Sequence, residues 1–358
     1  MYRNTKNVPY YVFGRGSLAQ LGDLLKPRRE AVDGPVVYFV DHFFRDHELI
    51  GRLPMEKGDQ LHFVDSSSEP EVTRIDAFKE AVSAADSRTP CCVVGIGGGN
   101  ALDTAKAVAN LLTNPGKAED YQGWELVKSP AVYKIGIPTL SGTGSECSRT
   151  CVLTNIPKNL KLGMNSDYTV YDQLLLDPDL LATVPRDQYF YTGIDTFMHC
   201  VESLQGSYRN AIIDAFSVRA VQLCEEIFLS DDMMSEENRE KMMIASYIGG
   251  MAAGNVGVIH PFSAGLGVVL HVAHGLGNCL ALNVLGDIYP KEYKQFRTMI
   301  ERQGVNLPTG ICKDLTEEQY EGLYRGCIVH EKPLTNALGP DFKQILTKEN
   351  LIERYKSI

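Results

Sequence analysis

Three consecutive glycines, Gly97 to Gly99, stand between an apolar run and a helix-forming stretch, and no other feature of the chain limits its fold as much. Cys91-Cys-Val-Val-Gly-Ile96 has the length and apolar density of a strand buried on both faces, and Asn100 to Leu112 is rich in helix formers. Glycine at such a junction lets the backbone approach a ligand closely. The helix end behind it offers free N–H groups and the positive end of a dipole, so a pyrophosphate is its natural occupant. Further units of the same kind surround it. Pro35-Val-Val-Tyr-Phe-Val40, ending in Asp41, reads as a second buried strand, and Tyr133-Lys-Ile-Gly-Ile137, closed by Pro138, as a third. Val72 to Ala85 carries apolar residues at helical spacing. Strand and helix in alternation predict a parallel sheet covered on both faces.

After residue 178 the pattern changes to long helices, at Gln188 to Leu204, Asn210 to Phe228, Asn238 to Ala253 and near Asp341 to Lys356. We expect an α/β dinucleotide-binding domain over residues 1–178 and an all-helical domain over 179–358, with the boundary in Leu176-Asp-Pro-Asp-Leu180 and a cleft between them. The 358 residues suit two such domains. With 44% hydrophobic and 22% charged residues the chain is neither disordered nor fibrous, and no apolar run is long enough for a membrane span. A net charge of −10 argues against nucleic acid as a partner. The N-terminus lacks the pattern of a secretory signal, and nine cysteines without a C-x-x-C pair suit a reducing cytoplasm.

A second turn, Pro138-Thr-Leu-Ser-Gly-Thr-Gly-Ser-Glu146, again follows a strand and supplies hydroxyls and N–H donors. Asp41 stands where a dinucleotide-binding sheet places an acid for the ribose hydroxyls; a carboxylate there repels a 2′-phosphate and favours NAD over NADP. The glycine spacing is not G-x-G-x-x-G, and taken alone Gly97 to Gly99 is also what a tight turn looks like. Four of the eight histidines fall between 199 and 274. Asp195 and His199, four apart in a helical stretch, share one face, where a carboxylate and an imidazole can chelate a divalent ion or form a helix-surface hydrogen bond. With His260 and His274 they make a one-carboxylate, three-imidazole set that suits Fe²⁺ and Zn²⁺ alike.

These motifs resemble, in order, those of the iron-containing alcohol dehydrogenases. Gly97-Gly-Gly-Asn-Ala-Leu-Asp-Thr-Ala-Lys106 is similar to the family's first glycine turn and Pro138 to Glu146 to its second. Gly193-Ile-Asp-Thr-Phe-Met-His-Cys-Val-Glu202 resembles its G-x-D-x-x-x-H-x-x-E helix, and His260 and His274 its remaining ligand spacing. The resemblance, over roughly residues 8–285, implies the dehydroquinate-synthase-like fold, NAD, and a metal held by Asp195, His199, His260 and His274. It implies that Asp41 meets the adenosine ribose, that Gly98, Gly99, Asn100 and Asp103 serve the pyrophosphate turn, and that Thr139 and Leu140 line the nicotinamide half with Lys161 close to the ribose. A homodimer is common in the family.

Departures from the family pattern point to a different substrate pocket. Where relatives carry a proton-relaying histidine four residues after the third ligand, this chain has Ala264, leaving His271 as the candidate relay. The asparagine near adenine appears as Glu69, and the tail from Asn283 is short, without the usual long helical run. As a whole the chain most resembles the branch that oxidises the C8 hydroxyl of 3-deoxy-manno-octulosonate (Kdo), a polyhydroxylated sugar acid of modified lipopolysaccharide. The alternatives are a dehydrogenase of a simpler primary alcohol or of lactaldehyde, an NAD- and zinc-dependent sugar-phosphate cyclase, and a catalytically silent NAD sensor.

Overall fold

The computed structural model describes residues 6–158 and 160–358, and the chain divides into two compact units. The first takes in residues up to 140 and 145–182; the second is residues 141–144 and 183–358. A single cut at 178/179 leaves 141–144 in the first unit, whereas their packing puts them in the second.

In the first unit the strands are β1 (Tyr10–Phe13), β2 (Val36–Asp41), β3 (Gln60–Val64), β4 (Cys92–Gly97), β5 (Gly123–Trp124), β6 (Lys134–Pro138), β7 (Thr150–Asn155), β8 (Leu160–Asn165) and β9 (Gln173–Leu176). Six form a parallel sheet in the order β1-β9-β6-β4-β2-β3. The helices α1 (Leu21–Ala31), α2 (Val72–Ala85) and α3 (Gly99–Leu111) cover it. Every residue of β4 and the first five of β2 are buried, as the unbroken apolar runs predict. Alternate side chains of β2 enter different cores. Val37 and Phe39 join the cluster that includes α3 and α2, while Val36, Tyr38 and Val40 join the one that includes α1. The strand order reverses between β2 and β4, so Asp41 and Gly97 end neighbouring strands at the switch point where open α/β sheets bind ligands.

The structure adds one thing that the alternating pattern does not predict: β7 and β8 form an antiparallel hairpin, with β5 beside β8, in a separate three-stranded sheet.

The second unit is helical: α4 (Arg186–Gln205), α5 (Ala211–Phe228), α6 (Glu236–Gly249), α7 (Ile259–Leu270), α8 (His274–Val284), α9 (Pro290–Gln303), α10 (Glu317–Ile328), α11 (Glu331–Leu338), α12 (Phe342–Ile345) and α13 (Lys348–Lys356). Buried on nearly every side from Tyr189 to Ser203, α4 is the central helix and packs on α5, α6 and α8. Two helix boundaries differ from the sequence expectation. The stretch Asn238 to Ala253 ends as an α-helix at Gly249 and continues as a 3₁₀ turn, Gly250–Asn255. Asp341 to Lys356 is two helices, because Thr347 caps α13 by accepting from the Asn350 N–H. The tail, expected to lack long helical runs, holds α9 to α13. No single helix among the described residues is long and apolar enough to cross a membrane.

Candidate metal centre

Three helices of the second unit bring together the residues singled out as ligands. Asp195 and His199 lie one turn apart on α4, His260 is in the first turn of α7, and His274 opens α8. Asp195 Oδ1 lies 3.1 Å from His260 Nε2 and 3.9 Å from His199 Nε2, and Asp195 Oδ2 lies 3.5 Å from His274 Nε2. Ligand atoms of Asp195, His260 and His274 all fall within 4.8 Å of one another. His199 is outside that trio; its ring stacks on that of His260, with centroids 4.4 Å apart.

Two residues that sequence reasoning left without a role complete the arrangement. Asn278, four residues after His274 and so on the same face of α8, donates from Nδ2 to Asp195 Oδ1 at 2.6 Å and lies 3.3 Å from His274 Nε2. The spacing of four was the available signal. Glu202, one turn beyond His199, reaches His260 Nδ1 at 2.5 Å.

The electrostatics favour a cation. Burial pushes the Asp195 carboxyl up, but the surrounding imidazoles outweigh it and hold it well below the usual carboxylate range. Burial pushes His199 down to about 3, so its ring is neutral at pH 7 and keeps a lone pair. Burial also disfavours charge on His260, yet Glu202 and Asp195 outweigh it and raise the ring to about 9. Asp195 Oδ2 and His199 Nδ1 are buried without a hydrogen-bond partner. A carboxylate oxygen out of water and without a donor is costly, and a cation relieves that cost. One carboxylate with imidazoles is a donor set for Fe²⁺ or Zn²⁺. The partial exposure of His274 leaves the access that a catalytic ion needs and a closed structural site lacks. The residues present fit such an ion.

In the first unit, Asp41 accepts from the Phe43 N–H at 3.0 Å and the Ser66 hydroxyl at 2.8 Å. Gly97 has φ 152°, and a Cβ there would lie 2.6 Å from the Ala101 Cβ and 2.9 Å from the Asp41 Cβ, so glycine is obligatory. Gly98 is the N-cap of α3, Gly99 its first residue, and the Asn100 amide donates to the Ser68 carbonyl. Thr139 N–H donates to Gly97 O at 3.0 Å, and Leu140 packs over Gly98. Lys161, on β8, pairs with Glu69 at 3.0 Å.

Asp103, grouped with the pyrophosphate turn by resemblance, is buried with both oxygens engaged by the protein itself, Oδ1 by the Ser145 hydroxyl and Oδ2 by the Val152 N–H at 2.9 Å. Lys106 Nζ donates to the carbonyls of Ser145 and Thr150 and to that of Ser148 at 3.2 Å. Both residues anchor the segment from 145 to 152. The second glycine turn also serves packing. Gly142 N–H donates to Ser246 Oγ at 2.8 Å and its carbonyl accepts from Thr196 Oγ1 at 2.9 Å; a Cβ on Gly142 would lie 1.6 Å from Thr192 O. His271 is exposed, in the left-handed conformation that ends α7. Ala264 is buried one turn after His260.

Comparison with known proteins gives a consistent result. Residues 9–178 match the family described as iron-containing alcohol dehydrogenase, and residues 189–322 match the C-terminal part described for the same family. A sulfoacetaldehyde reductase of Bilophila wadsworthia is 34% identical over 220 residues, which are 60% of this chain and only 56% of that enzyme's length. An NAD-dependent methanol dehydrogenase of Bacillus methanolicus is 29% identical over 278 residues, 75% of this chain and 71% of its own length. The solved sulfoacetaldehyde reductase of Bifidobacterium kashiwanohense, in complex with NAD+, superposes with a TM-score of 0.80 at 24% identity, covering 99% of this chain and 98% of that one. Likeness of that order establishes a shared fold.

Proposed function

The chain belongs to the iron-containing alcohol dehydrogenase family, and from that membership we propose that it interconverts a primary alcohol and its aldehyde with NAD as hydride carrier and a divalent ion, Fe²⁺ in preference to Zn²⁺. The observation that carries this is the meeting of Asp195, His260 and His274 from three helices, with His199 beside them. When bound, such an ion polarises an alcohol's hydroxyl so that its proton is lost near neutral pH, and the nicotinamide accepts hydride from the adjoining carbon. The four side chains bind and orient, and no residue acts as a nucleophile. The N–H groups of Gly99 and Asn100 at the start of α3 face a pyrophosphate, and Asp41 keeps lone pairs free for ribose hydroxyls beyond those given to Phe43 and Ser66. Thr139 and Leu140 are the candidates for lining the nicotinamide half, and Lys161 for meeting the ribose. His271, exposed three residues before His274, is the candidate for passing the released proton to solvent.

The specific reaction proposed is oxidation of the C8 hydroxyl of 3-deoxy-manno-octulosonate. It rests only on the resemblance of the whole chain given under Sequence analysis; the relatives named above carry the names of sulfoacetaldehyde and methanol enzymes, not of an octulosonate enzyme. We place the enzyme in the cytoplasm, where its nine free, buried cysteines stay reduced. A homodimer is supported by the edge strand β1, whose Tyr10 and Phe13 are exposed.

His274→Ala tests the centre. Bound metal, measured by elemental analysis, is expected to fall below one ion per chain and turnover by about a thousandfold or more, while NAD titrations of the α/β unit stay as in the wild type. Full turnover in the variant would end the metal assignment. A panel of primary alcohols and the octulosonate, followed by nicotinamide absorbance, decides the substrate: reduction of NAD with simple alcohols alone would remove the sugar acid.

A further inference from the structure

Glu202 takes no part in the ligand set, yet it is buried and makes three contacts around the start of α7. Its Oε1 accepts from the Ile259 N–H at 2.6 Å and from the Tyr289 hydroxyl at 3.3 Å, and the Tyr289 oxygen accepts from the Val258 N–H at 3.0 Å. Two N–H groups that α7 leaves without helical partners are thereby satisfied from α4 and from Tyr289. The space is provided by Gly257: a Cβ there would lie 2.5 Å from the Tyr289 hydroxyl and 3.1 Å from Glu202 Oε1. The second oxygen, Oε2, faces His260 Nδ1 at 2.5 Å.

A carboxylate accepts hydrogen bonds and never donates them, so the proton of His260 belongs on Nδ1. Nε2 points at Asp195 Oδ1 from 3.1 Å. Without an ion a proton bridges the two, and that proton leaves when an ion takes the Nε2 lone pair, while the Nδ1 proton stays directed at Glu202. The same carboxylate holds the end of α7 and the ring of its second residue, so the place of the helix and the aim of the imidazole are set together.

We infer that Glu202 is a positioning residue: through His260 it fixes the tautomer and orientation that present Nε2 to a divalent ion, with Tyr289 holding its other oxygen. This rests on the metal centre proposed above. Glutamine has one acceptor oxygen and one amino group in place of two acceptors, so Glu202→Gln can serve Ile259 or His260 but not both. When its amino group faces Nδ1, the ring proton moves to Nε2 and blocks it.

The experiment is Zn²⁺ competition against a chromophoric chelator on the 358-residue chain, with the visible spectrum of the Co²⁺-loaded form as a second readout. Glu202→Gln is expected to weaken Zn²⁺ binding by about ten- to a hundredfold and to shift the Co²⁺ bands. In a His260→Ala background the same change is expected to alter the Zn²⁺ dissociation constant by less than about twofold, because the residue acts through that ring. Wild-type affinity in Glu202→Gln, or full additivity with His260→Ala, overturns the inference while leaving the metal centre intact. A wild-type protein that takes up no Zn²⁺ or Co²⁺ overturns both. Should Glu202→Gln fail to fold, Tyr289→Phe leaves the carboxylate in place and removes one of its donors. It is expected to weaken Zn²⁺ binding by a smaller factor, about two- to tenfold, and unchanged affinity there also overturns the inference.

Discussion

Asp59 shows what one side chain contributes when it is held from several directions. Its Oδ1 accepts from the Val36 N–H at 2.9 Å, at the start of β2, and from Arg29 Nη1 at 2.9 Å, on α1; its Oδ2 accepts from Arg29 Nη2 at 2.6 Å and the Glu56 N–H at 2.8 Å. Burial pushes this carboxyl up, but the guanidinium and the two N–H groups outweigh it and hold it below the usual carboxylate range. A carboxyl lowered in the folded state adds stability that is complete above its unfolded value, about 3.9, and is lost as the pH falls through the folded value. Asp59→Asn is expected to cost about 2 kcal/mol at neutral pH, read from the urea midpoint. The gap to the wild type is expected to close in acid, below the folded value. A gap that is the same at every pH would show that the charge is not what matters.

Among the structural elements, the glycine turns look alike in sequence and do different work. At the end of β4, Gly97 gives the backbone a positive φ and clears the way for Ala101 and Asp41, leaving the start of α3 open. In the second turn Gly142, with φ 146°, lets α4 approach until a side chain has no room beside Thr192 O. Gly142→Ala is expected to cost at least about 3 kcal/mol, because both the conformation and the contact are lost. Gly254→Ala, where a Cβ meets nothing within 4 Å and φ is not positive, is expected to stay within about 0.5 kcal/mol of the wild type in the same thermal melts. Equal effects of the two substitutions would mean that close approach is not the function of Gly142.

At the scale of the molecule, the proposed ligands fall on different units: an ion on Asp195, His199, His260 and His274 in the second, NAD on the turn of the first. An ion present at a hundred times its dissociation constant stabilises the body that binds it by about 2.7 kcal/mol, or roughly 5–10 °C for a body of this size. Chelation is therefore expected to lower the thermal midpoint of the helical unit by that amount. In hydrogen exchange followed by mass spectrometry, protection should fall in α4, α7 and α8 and stay unchanged in β2, β4 and α3. Loss of protection concentrated in the sheet would place the ion elsewhere.

What the sequence determined is what depends on near neighbours. Unbroken apolar runs specify β2, β4 and β6 because a strand buried on both faces has no polar positions to show. Spacing of three and four specifies α2 from Val72 to Ala85, and the same spacing puts Asp195 and His199 on one face of α4. The identity of all four proposed ligands was legible for that reason and from the ordered family motifs. Only the tertiary structure decided the rest. The pairing of Glu202 with His260 joins residues 58 apart, and that of Asn278 with Asp195 joins residues 83 apart. No periodicity carries such contacts; they arise when helices pack and buried polar groups must find partners. For the same reason Asp103 and Lys106, which share a motif with the pyrophosphate turn, proved to be anchors of the segment at 145–152, and residues 141–144 proved to belong with the helices.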